Sequence, residues 1–70
     1  MLKPAKGLEE QLEKARLILP QIYKQGTRSW QGRIDVSKMM RMLPDMKQHM
    51  AYHVRSALIE EIKTGKLDSP

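Results

Sequence analysis

Apolar residues return along this chain at the spacing of a helix face, in three separate stretches. The longest series is Met46, Met50, Val54, Leu58 and Ile62, one at every fourth position, with Ala51 and Ala57 on the same side of a helical wheel. This spacing predicts a long helix that begins at Asp45 and runs to about Thr64, where Gly65 stops it. The other arc of the wheel carries Gln48, His49, Tyr52, Arg55, Ser56 and Lys63, with Ile59 among them, and is expected to face out.

A first helix is predicted over residues 8–25. Leu8, Leu12, Ala15, Leu19, Ile22 and Tyr23 line one side, Glu9, Glu10 and Glu13 suit the dipole at its start, and Gly26 ends it. Pro20 interrupts this helix, because a proline inside a helix removes a backbone bond and crowds the preceding turn. The apolar stripe stays in register across Pro20, which favours one kinked helix over two helices with Pro20 in the first turn of the second. The third stretch is Val36, Met39, Met40 and Leu43, a short helix capped by Asp35 and closed by Pro44. Between the first two helices lies a connector, Thr27 to Ile34, and Arg33, Ile34 and Asp35 are candidates for a very short strand.

The fold expected is all-α: three helices, the first kinked or split at Pro20, a long C-terminal helix, and a helix-turn-helix-like hairpin around Pro44. One domain spans residues 1–70, with a basic arm at 1–7 and a polar tail at 65–70.

Composition narrows the function classes. There is no cysteine, so neither disulfides nor a thiolate zinc site holds the chain together. No apolar run approaches the roughly 20 residues of a membrane span. The opening MLKPAKGLEEQLEKA lacks the apolar core of a secretory signal, and a cytoplasmic protein is expected. The formal charge is +5, and its distribution matters more than its size. Glu9, Glu10, Glu13, Glu60, Glu61 and Asp68 lie toward the ends, and Asp35 and Asp45 are the only acids between Lys14 and Ile59. That span holds nine lysines and arginines, a balance that points to an anionic partner with nucleic acid first.

Catalysis finds little support. Glu9/Glu10 and Glu60/Glu61 are sequence neighbours that diverge on a helix, and no nucleophile sits with a base and an orienting group. His49 and His53 share a helix side but lack a further ligand. Neither enzyme activity, nor a metal, cofactor or small-molecule substrate, is expected.

Two features can serve either packing or binding. Trp30, the only tryptophan, either covers the core under its loop or offers a stacking surface between Arg28 and Arg33. Met39, Met40, Met42, Met46 and Met50 either fill the core or form an adaptable docking surface; Met42 falls off the stripe of its helix.

The short helix VSKMMRML followed by DMKQHMAYHVRSALIEEI is similar in outline to a helix-turn-helix, and with Gly65-Lys66-Leu67 it resembles a truncated winged helix. The turn lacks the glycine often found in that motif. The resemblance implies that the second helix enters the major groove by its N-terminal half. The reading is a small basic nucleic-acid-binding protein, DNA-binding or transcription-regulating, using Arg28, Trp30, Arg33, Lys47, Gln48, Tyr52 and Arg55. The alternative is a protein-interaction module, a small subunit or inhibitor, that docks through Met39 and Met42 and forms a homodimer.

Overall fold

In a computed structural model, which describes residues 6–70, the chain is helical with no named strand among the described residues. The helices are α1 (Lys6–Leu17), α2 (Leu19–Ile22), α3 (Val36–Met42) and α4 (Gln48–Lys63), with a single 3₁₀ turn at Gln31–Arg33 before α3. Of the expected basic arm, Lys6 and Gly7 belong to α1; residues 1–5 lie outside the described residues.

Pro20 splits the first helix rather than bending it. It has no N–H to give the Arg16 carbonyl, so α1 closes with the Ile18 N–H donating to the Ala15 carbonyl at 3.1 Å. Pro20 then sits in the first turn of α2, where its missing donor costs nothing. The apolar stripe crosses the break in register: Leu12, Ala15, Leu19 and Ile22 are all buried.

Helicity ends at Ile22, short of the expected Gln25. Tyr23 is extended and forms an isolated antiparallel bridge with Ile34. The Lys24 N–H donates to the Arg33 carbonyl at 2.7 Å, and the Asp35 N–H to the Ile22 carbonyl at 2.8 Å. The candidate strand at 33–35 therefore exists as a single rung. Gly26 makes the turn between its two sides with φ at +77°, a conformation that costs a residue with a Cβ roughly 1–2 kcal/mol.

Asp35 caps α3 as expected. Its Oδ1 accepts from the Lys38 N–H at 3.0 Å, while Oδ2 lies 3.9 Å from Lys24 Nζ. The hairpin around Pro44 is present, but α4 starts later than the spacing predicts. Asp45 lies in the turn, and Lys47 takes the N-cap position without a side-chain cap.

The core lies between α1, α2, α3 and α4. Ile22, Met39, Val54 and Leu58 are fully buried at its centre, with Ile34, Met46 and Ala51 around them. Ile62, expected among the core residues, is half-buried at its edge. Arg16 on α1 and Glu61 on α4 join the two longest helices: Nε donates to Oε1 at 2.9 Å, and Nη2 reaches Oε2. Thr64 Oγ1 donates to the Glu60 carbonyl at 2.8 Å, and Leu67 turns back to pack on the core. Gln25 Nε2 donates to the Pro70 carbonyl at 3.2 Å, so the expected polar tail is tied to the body at both places.

Candidate nucleic-acid interface

Helical spacing places Gln48, Tyr52 and Arg55 at i, i+4 and i+7 on one side of α4. Gln48 and Tyr52 are exposed, Tyr52 by 43%, and Lys47 is exposed just ahead of them. Arg55 is half-buried, with its guanidinium carbon 5.0 Å from the centre of the Tyr52 ring. Its Nε is shielded from solvent and has no hydrogen-bond acceptor among the described residues. A buried charged donor without an acceptor is costly. Arg16 shows the contrast, since its Nε and Nη2 both donate to Glu61.

The same side of α4 continues to Ile59 and Lys63, where the loop 27–33 lies against it. Trp30 is half-buried there and packs against the core, and Ile59 is 7% exposed. The expectation that Ile59 faces out is corrected: it is buried in the core cluster and shares a groove with Trp30 and Gln31 of the connector. Its signal was visible as one large apolar residue inside a polar arc, which calls for a covering layer. Sequence reasoning also passed over Gln31 and Glu60, which with Trp30, Ser56, Ile59 and Lys63 line a groove of about 250 Å³.

Trp30 is not a bare platform. The Arg33 guanidinium carbon stands 4.0 Å over its ring, and Lys63 Nζ lies 5.6 Å from its centroid. Arg33 Nε donates to the Thr27 carbonyl at 3.2 Å, and the Gly32 N–H to Ser29 Oγ at 3.2 Å. Arg33 thus holds the loop together and retains its Nη donors for other partners. A Cβ on Gly32 would stand 2.7 Å from Thr27 Cγ2, so glycine lets the loop close here. Arg28 is exposed in the same loop.

The methionine surface is corrected. Met39 is fully buried, and Met46 nearly so, because both face the junction of α3 with the other helices. Met40 and Met50 are half-buried against the same core. Met42 alone of the group is exposed, by 38%, so Met39 cannot contact a partner in this fold. A second apolar side chain, Leu17 at the end of α1, is 81% exposed and was not singled out by its spacing.

Charge is segregated. The ion pairs among the described residues are Arg16–Glu61 and Lys24–Asp35. Arg28, Arg33, Lys38, Arg41, Lys47, Arg55 and Lys63 have no carboxylate within 4.0 Å among the described residues. Glu9, Glu10 and Glu13 stay on α1. No group of three potential metal ligands occurs among the described residues, and none of the described helices is long and apolar enough to cross a membrane. Comparison with known protein families, with characterised proteins and with solved structures finds no match for this chain.

Proposed function

We propose that this protein binds nucleic acid, DNA first, through the exposed side of α4 and the loop 27–33. The observation that supports the reading is the set of cations on this surface, Arg28, Arg33, Lys47, Arg55 and Lys63, none with a carboxylate within 4.0 Å among the described residues, beside exposed Tyr52 and Gln48. Phosphate oxygens pair with the exposed cations, and displaced counterions supply the free energy. Lys47 and Arg28 contact phosphates, as does the Tyr52 hydroxyl. Gln48 and Arg55 lie on the side of α4 that reads base edges when a helix enters the major groove, with α3 as its brace. The proposal extends to a transcription-regulating role in the cytoplasm.

Fluorescence anisotropy with labelled duplex DNA at low salt tests the reading. Lys47→Ala should weaken binding to every sequence, and Arg55→Ala or Gln48→Ala should also flatten the preference among sequences. Lys14→Ala, on α1, should change neither. Equal affinities for wild type, Lys47→Ala and Arg55→Ala would overturn it.

Leu17 favours a second reading, the protein-interaction module with a homodimer as its simplest form. Its docking residues are now Met42 and Leu17. Light scattering tests it: a dimer that Leu17→Glu converts to monomer supports it, and a monomer at every concentration opposes it.

A further inference from the structure

The groove between the loop 27–33 and the C-terminal half of α4 has its own chemistry. Trp30 and Ile59 give it an apolar floor, and the Gln31 amide, Ser56 hydroxyl and Glu60 carboxylate surround that floor with hydrogen-bonding groups. Lys63 lines it as well, 5.6 Å from the indole centroid, and Arg33 stands over the indole at 4.0 Å. Two cations beside the indole disfavour a cationic guest, which would otherwise suit an aromatic wall. A purely apolar guest would bury Ser56, Glu60 and Lys63 without partners. The volume of about 250 Å³ falls below the roughly 300–1,000 Å³ of sites for drug-sized ligands, so one small flat group fits it best. The guest that answers all of these is a planar ring with donors and acceptors on its edge and a phosphate attached.

We propose that this groove takes one unpaired nucleobase, with its phosphate at Lys63, so that the protein favours DNA carrying a single-stranded segment over blunt duplex. The proposal rests on the nucleic-acid reading above. A base inside a duplex has neighbours on both faces and cannot enter the groove, whereas an unpaired base can lie against the part of the indole that Arg33 and the core leave open to it. The groove also continues the Gln48–Tyr52–Arg55 side of α4. Eight residues separate Arg55 from Lys63, about 12 Å of helix, so one strand can cross both sites.

Because Trp30 is the only tryptophan, its emission reports the groove directly. The full chain is titrated with a labelled blunt duplex and with the same duplex bearing an oligothymidine tail. Anisotropy reads binding anywhere on the protein, and Trp30 emission reads the groove. The tail should tighten binding roughly fivefold or more, the lower end of base–aromatic stacking, and should quench Trp30 well beyond the blunt duplex. Lys63→Ala changes an exposed side chain, so circular dichroism should show the native helix content, and the ratio of tailed to blunt affinity should fall toward one. Equal binding of both probes with Trp30 emission unchanged, or equal quenching by both, would overturn the groove proposal and leave the nucleic-acid reading standing. Anisotropy that moves with neither probe would overturn both.

Discussion

The Arg16–Glu61 pair is the one charged tie between α1 and α4 among the described residues, and removing it should cost stability in a pH-dependent way. The two side chains are 32% and 17% exposed and meet in a two-pronged arrangement. Fully exposed pairs contribute about 0.2–1 kcal/mol, and hydrogen bonds to charged groups about 1.5–3 kcal/mol. With one partner a third exposed, a coupling of about 1–2 kcal/mol is expected. Hydrogen bonds from Arg16 hold the Glu61 carboxyl below its ordinary value of 4.5; burial opposes this, and the positive charges of Arg16 and Lys66 add to it. A carboxyl held lower in the folded state than in the unfolded state stabilises the fold when ionised. Its contribution is therefore complete above the ordinary value and is lost as pH falls through the lowered folded one. Urea unfolding of wild type, Arg16→Met, Glu61→Gln and the double variant, followed by circular dichroism, gives the coupling directly. At neutral pH each single variant should lower Tm by roughly 4–8 °C per kcal/mol lost, as for other domains of this size. Below the folded value of Glu61 the cost of Arg16→Met should shrink sharply. A coupling under about 0.3 kcal/mol, or a cost of Arg16→Met that is the same at neutral and acid pH, would refute this account of the pair.

Three further outcomes follow from burial. Leu58→Ala should cost about 2–5 kcal/mol; a core of this size rarely supplies more than about 3–5 kcal/mol, so the variant should be largely unfolded by circular dichroism, and a loss under about 0.5 kcal/mol would show an exposed face. Met39→Ala should destabilise by a similar amount while Met42→Ala stays within about 0.5 kcal/mol, and thermal melts showing the reverse would return Met39 to the surface. Gln11 Oε1 is buried without a hydrogen-bond partner among the described residues, beside a cavity of about 160 Å³, so Gln11→Met should be neutral or stabilising; a loss above about 1 kcal/mol in urea unfolding would mean that its amide has an acceptor or donor to serve.

Periodicity made the core legible where helices cover helices. Val54 and Leu58 against Leu12, Leu19 and Ile22 follow from spacing alone, because each helix buries the stripe that its sequence marks. The Asp35 cap was legible because a carboxylate just before an apolar turn has one local use. Ile59 stood out as an apolar residue in a polar arc, but what lies against it was not legible, because loops carry no period. Tyr23 was placed in a helix because it continues the stripe; its pairing with Ile34 depends on a chain reversal at Gly26 that wheel geometry does not describe. Asp45 had the chemistry of a cap, but Pro44 and Asp45 are used in the turn, and α4 begins with the uncapped Lys47. The methionines were ambiguous by nature, since one side chain suits cores and docking surfaces alike, and burial decided for the core at Met39 and Met46. The pairing of Glu61 was not legible, because its partner lies 45 positions away and no local spacing points to it. Of the candidate site, the Gln48–Tyr52–Arg55 side of α4 was legible as one helix face. The Trp30 groove was not, because it forms only when the loop closes on that face.

The salt dependence of DNA binding tests the central claim most directly. Arg28, Arg33 and Lys47 offer up to three phosphate contacts, so log affinity against log salt should fall with a slope of about −2 to −3 on duplex DNA, at about −0.9 per contact. Lys47→Ala should make that slope shallower by roughly one. No detectable binding at low salt, where charges are least screened, or binding that does not change with salt, would contradict the account.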